Sequence, residues 1–217
     1  LKKYIEEEKN MKVKKPKIIE TVGAFYYAFN TPDENGEFVL STYETIVKSP
    51  IIKKVSVTPE SETATVRASG EDYDQVSQTS SIGLEVEVIA FDPSDLATAK
   101  GEKVNTNGLV MGGASASRPY FACGYPVIKK DGNIALKWYP KCKLTENSEE
   151  VSTSDTSYSE QTSTVNITAY SFDGSNNKYV YLDSEMASYP EGMTEDKFFA
   201  QVITSAADLD KIITPGT

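Results

Sequence analysis

Residues 81–91, SIGLEVEVIAF, place Ile82, Leu84, Val86, Val88 and Ala90 on one side of an extended chain and Glu85 and Glu87 on the other. Successive side chains of a strand point to opposite faces, so a period of two with one apolar and one charged side marks a strand lying on a core. The same period recurs in IIKKVSVT (51–58), SETATVRAS (61–69) and TVNITAYSF (164–172). Repeated one-sided strands of this kind specify an antiparallel sheet with a dry face and a wet face.

Turn and cap residues set the order of the elements. Asn35-Gly36 predicts a hairpin between IIETVGAFYYAFN (18–30) and EFVLSTYETIV (37–47). Asp131-Gly132, a type I′ dipeptide, predicts a long hairpin between SRPYFACGYPVIKK (117–130) and NIALKWYPKCKLTE (133–146), which carries the only tryptophan, Trp138. Pro59-Glu60 reads as a break between two strands, and GEDYDQVSQTS (70–80), with neither period, as an exposed acidic loop. Asp92 as a cap, Pro93 in the first helical position and Gly101 as a stop predict a short helix. KYVYLDS (178–184) reads as a short strand, and Phe198, Val202 and Ile203 at helical spacing predict a C-terminal helix over 194–209. The predicted class is all-β with minor α, an antiparallel β-sandwich with one short helix between strands and a C-terminal helix. It is expected as a flexible charged arm (1–17, with Met11 as an alternative start), a single β-domain (18–172) and a C-terminal strand and helix segment (173–217).

Composition narrows the function. The 217 residues carry a net charge of −10 and contain no histidine, the commonest general base and transition-metal ligand. An excess of carboxylates disfavours tight binding to nucleic-acid backbones. Acidic residues are dispersed along strands and loops, so no enzyme, cofactor or metal site is expected. The glycines of GLVMGGASASR (108–118) lack the Lys-Ser/Thr of a phosphate loop, and Glu71, Asp72 and Asp74 lack calcium-loop spacing. Cys123 and Cys142 fall in segments that read as neighbouring strands and are expected as buried reduced thiols in preference to a disulfide. Phe25, Tyr26 and Tyr27 read as core or interface residues, with a carbohydrate groove or adhesin surface as the alternative. No apolar run approaches the length of a membrane span, and the Lys- and Glu-rich start has no hydrophobic signal core, so neither export nor membrane association is expected.

The succession VSVTPESETATVRASGEDYDQVSQTSSIGLEVEVIAF, a short helix, ASRPYFACGYPVIKKDGNIALKWYPKCKLTENSEEVSTSD and EQTSTVNITAYSF resembles the major tail protein family of long-tailed bacteriophages of Gram-positive hosts. The resemblance covers about residues 20–172. It implies a tail-tube subunit, a β-sandwich that assembles into stacked, hexameric rings in the virion after synthesis in the bacterial cytoplasm. Implied partners are other copies of the chain, the tape measure protein, and the tail terminator and distal tail proteins, with DNA passing through without specific binding. By position, the arm 1–17, the loop at Glu71, Asp72, Tyr73 and Asp74, and the segment 178–217 are the candidates for contacts between rings. Glu62, Thr63, Thr65, Glu85 and Glu87 are the candidates for an acidic or neutral lumen wall.

Overall fold

The computed structural model describes residues 14–40, 42–113, 117–149, 151–153 and 161–214, with positions 62, 64, 66, 68, 76 and 77 described as backbone only. Residues 1–13 of the expected arm, most of the Ser/Thr-rich stretch 151–163 and part of the glycine cluster lie outside the described residues.

The strands are β1 (Ile19–Val22), β2 (Phe25–Phe29), β3 (Val47–Ser49), β4 (Ile52–Ala68), β5 (Glu71–Val88), β6 (Lys103–Val104), β7 (Val110–Met111), β8 (Phe121–Lys129), β9 (Ile134–Glu149), β10 (Ser163–Ala169) and β11 (Val180–Asp183). The α-helices are α1 (Pro93–Lys100), α2 (Glu195–Phe198) and α3 (Ala206–Ile213). Nine strands form one sheet in the order β3-β2-β8-β9-β10-β5-β4, with β1 continuing the line of β2 beside β8 and β11 pairing with β9. Every pairing is antiparallel, as expected.

Phe25 and Tyr27 of β2 share a core with Leu84 and Val86 of β5, although three strands separate them in the sheet. Such sharing requires the sheet to coil until its flanks face each other. The two layers of the expected sandwich are therefore the two flanks of one continuous sheet. Helix α1 covers this inner core with Leu96 and Ala99. Asp92 accepts hydrogen bonds from the amides of Ser94 and Asp95, and Gly101 closes the helix in the left-handed region at φ 74°.

A second core lies on the outer face. Tyr26, Ala28, Ala122, Leu136 and Trp138 are covered there by Met193, Phe198, Phe199, Val202 and Ile203 from the C-terminal segment. Phe199 stacks on Tyr26 at 3.9 Å and meets Trp138 edge-on at 5.1 Å. Burial on both faces explains why FYYAF and FACGYPV read as unbroken apolar runs while β5 alternates. The aromatic run Phe25–Tyr27 is 2–3% exposed, so it builds core and is closed to any carbohydrate.

The structure revises several expectations. The sequence 194–209 is not one helix: α2 and α3 are separated at 199–205, where the chain extends to seat Val202 and Ile203. Ser205 caps α3, and the Asp208 carboxylate accepts from Thr204 and Ser205, holding the break. Burial raises Asp208, but these hydrogen bonds and Lys211 outweigh it and leave it at about 2. After Asn35-Gly36 the return strand shrinks to β3 and a single bridge between Asn30 and Tyr43, because Asp33 and Asn30 bind the intervening backbone with their side chains. Part of the glycine cluster forms a small hairpin, β6-β7. Cys123 and Cys142 are free buried thiols with sulfurs 3.6 Å apart.

Gly124 faces the outer core. A Cβ there would lie 2.5 Å from the Lys137 carbonyl oxygen, 2.8 Å from Trp138 and 2.9 Å from Phe199. Gly124→Ala is expected to lower stability by about 1–3 kcal/mol, measured by chemical denaturation. Gly174→Ala, with nothing within 4 Å of its Cβ, is expected to stay within about 0.5 kcal/mol of the parent.

Candidate assembly surfaces

The longest pairing in the chain builds the first surface. β4 and β5, of 17 and 18 residues, form one hairpin closed by Ser69 and Gly70, at φ 53° and 84°. Two consecutive positive φ values are those of a two-residue type I′ turn, whose twist matches the flanking strands. Beside Ile82–Val88, β5 also pairs with β10; from Glu71 to Ser81 its described partner is β4 alone. A two-stranded ribbon of about 30 Å, at about 3.3 Å per residue, thus projects beyond the core.

Two expectations are corrected by this ribbon. Pro59 does not separate two strands: β4 is the edge strand of the sheet, and an edge position tolerates the missing N–H. The segment 70–80 is not a loop either. Ala68 pairs with Glu71, Arg67 with Asp72 and Val66 with Asp74, with Tyr73 bulged outward and 79% exposed. The candidate residues Glu71, Asp72, Tyr73 and Asp74 occupy the ribbon tip, where Arg67 Nε donates to Asp72 at 2.7 Å.

The second surface is the wet face of β4, β5, β10 and β9. Cross-strand register lines up Ser56, Glu85, Asn166 and Glu146 in one row and Lys54, Glu87, Thr164 and Ser148 in the next. A third row runs Thr58, Gly83, Thr168 and Lys143, and Thr168 shares a hydrogen bond of 2.8 Å with Thr145. Ile82, Leu84, Val86 and Val88 behind them are 0–4% exposed. The face is polar and of mixed sign, with Glu87 lying 3.9 Å from Lys53. At one end of the face, Lys143 stands 4.2 Å over the ring of Tyr120 and Lys141 stands 4.7 Å over Phe38.

Of the lumen candidates, the structure brings Glu85 and Glu87 together on this face and separates them from Thr63 and Thr65. Thr63 and Thr65 are exposed on the ribbon, and the alternation along β4 puts them on the side of Val55 and Val57, opposite Glu85. The Glu62 side chain lies outside the described residues. Sequence reasoning did not single out Lys54, Asn166 and Glu146 beside the two glutamates. It also passed over the Ser69-Gly70 dipeptide, the one local signal for the ribbon.

The third surface anchors the incoming chain. The Lys17 amide donates to Glu185 at 2.8 Å, and Lys17 Nζ pairs with Asp131 at 2.6 Å. Lys129 Nζ lies 2.6 Å from both Asp183 and Glu185. Burial raises Asp183, yet hydrogen bonds from Lys129 and Tyr181 bring it below the ordinary value of 3.8. Lys129 and the Lys17 amide likewise lower Glu185 below 4.5. Among the described residues no three Cys, Asp or Glu side chains converge to hold a metal, and no helix is long and apolar enough to cross a membrane.

No protein-family model matches the chain, and no curated protein matches it in sequence. Among solved structures it is similar to a chain in the structure of the anti-feeding prophage cap, the tube-terminating cap, with 12% identity and a TM-score of 0.43 over 81% of this chain and 96% of the other. It is also similar to a chain of the anti-feeding prophage baseplate, with 11% identity and a TM-score of 0.42 over 80% and 100%. Likenesses this distant carry no argument about function, which rests on the geometry above.

Carboxylates with lowered values stabilise the fold above their ordinary values and lose that contribution as pH falls through the folded ones. The Lys17 amide is therefore expected to lose its hydrogen-bonded NMR shift as the solution is acidified below the ordinary value of Glu185, 4.5. A shift unchanged down to about pH 2 would contradict the anchor.

Proposed function

We propose that the chain is a structural subunit of a phage-type tail tube, which self-assembles into stacked rings, six copies to a ring, and catalyses nothing. The observation that carries this reading is the β4–β5 ribbon, whose distal half extends past β10 with no third strand beside it among the described residues. An isolated two-stranded ribbon is marginal in water, and the sequence ESETATVRASGEDYDQVSQTSS is mostly polar, its few apolar residues being Ala64, Val66, Ala68, Tyr73 and Val76. No described strand pairs with the outer edges of the ribbon and of β4, and a neighbouring copy adds a strand there. In a closed ring every edge finds the same partner, and association stops without running on into fibres.

The wet face of β4, β5, β10 and β9 supplies the lumen in this reading. Glu85, Glu87 and Glu146 interspersed with Lys54 and Lys143 give a wall that does not hold phosphates, which suits DNA that passes without binding. The arm and the C-terminal segment contribute further contacts between rings, and the tape measure, tail terminator and distal tail proteins are the remaining partners.

Electron microscopy of the purified protein over rising concentration tests the proposal, with stacked rings or short tubes as the expected result. Replacing 61–79 by a two-residue turn is expected to keep the thermal transition of the domain and abolish stacking. A parent chain that remains monomeric at every concentration would overturn the proposal.

A further inference from the structure

Lys178 is 6% exposed, and its ammonium has no carboxylate partner among the described residues. Its Nζ donates to the backbone oxygen of Asn176 at 3.0 Å and to the Asn176 side-chain oxygen at 3.1 Å. These neutral acceptors occupy two of the three N–H donors and leave the charge uncompensated. The contrast with Lys129, which is matched by two carboxylates, is sharp. Nor does the neighbouring acid help: Asp173 spends its carboxylate on the amides of Ser175 and Asn177 and on the Asn177 side chain. Burying an ammonium without a counter-charge is costly, and the cost is removed when a carboxylate arrives.

There is room for one. Lys178 lines an open pocket of about 490 Å³ at the root of the ribbon, together with Pro59, Thr79, Ile82, Asn176 and Tyr179. Among the described residues, the most concentrated group of exposed acids is at the far end of the same ribbon, about 30 Å away along paired strands. The ribbon cannot bring its own tip back to its root, but a tip belonging to another copy meets no such restriction. At the tip Asp72 is engaged by Arg67, and Glu71 and Asp74 are exposed on either side of it.

We propose that the Lys178 pocket receives the acidic ribbon tip, Glu71 and Asp74, of a second copy of this chain. The contact is heterologous, tip into root, so each copy both gives and receives, as a stack requires. The inference rests on the self-assembly proposed above and assigns that assembly its ionic contact.

The test compares the parent with Lys178→Met, with the tip pair Glu71→Gln/Asp74→Asn, and with Lys178→Glu alone and combined with Glu71→Lys/Asp74→Lys, by sedimentation velocity and electron microscopy. Lys178→Met is expected to fold, because an apolar side chain of similar shape replaces an unpaired buried charge; the tip pair alters exposed positions only. Each is expected to raise the concentration needed for assembly by about tenfold or more. Lys178→Glu is expected to abolish assembly, and the combined charge exchange to restore it. Assembly of the Lys178→Met and tip variants at the parental concentration, or failure of the exchange to restore it, overturns this inference and leaves the self-assembly reading standing. A parent chain that does not assemble is a different result and overturns both.

Discussion

β4 and β5 pair antiparallel along their whole length, through three register shifts, but among the described residues only the part beside β10 is held against a hydrophobic core. Backbone hydrogen bonds contribute little net stability when water competes for the same groups, so a ribbon held mainly by its own pairing is the least stable part of such a molecule. The remaining structure serves to hold the ribbon's root still. The inner core fixes the β5–β10 pairing through Leu84, Val86, Val165 and Ile167, and the pairing aims the ribbon.

The outer core has a different role. By covering β2, β8 and β9 on their second face, the C-terminal segment turns half of the sheet into a three-layered block. The other half, β4, β5 and β10 with the distal part of β9, is left with one face in water. A sheet that is buried on both sides at one end and on one side at the other has a rigid end and an available end. The polar rows around Glu85 and Asn166 lie on the available end, as do the outer edge of β4 and the pocket of Lys178.

How much of this was legible in the sequence depended on whether local pattern and tertiary context agreed. The alternation of SIGLEVEV, the Asp131-Gly132 turn and the Asp92-Pro93 helix start were legible because each residue's own conformational preference matches its place in the fold. At Asp131 and Gly132 both φ values are positive, 61° and 73°, as the dipeptide demanded. The ribbon was illegible for the converse reason. Residues 71–80 carry no period of two, so they read as a loop, and Pro59 read as a break because an edge position is not a local property. Phe198, Val202 and Ile203 simulated a helix because they face the same aromatic cluster from a helix end and a loop. Lys178 gave no signal at all, since its isolation depends on what Asp173 binds. The resemblance to tail proteins named the segment at 70–80 as a contact element; the geometry changes its form from a loop to a ribbon.

Hydrogen exchange of the amides 61–79, measured in dilute solution and again at concentrations where particles form, addresses the central claim directly. The account requires fast exchange there in the dilute chain beside strong protection at 82–88, and protection spreading to the ribbon on assembly. A ribbon already protected in the dilute chain to the level of 82–88 would contradict it, because such a ribbon would need no partner.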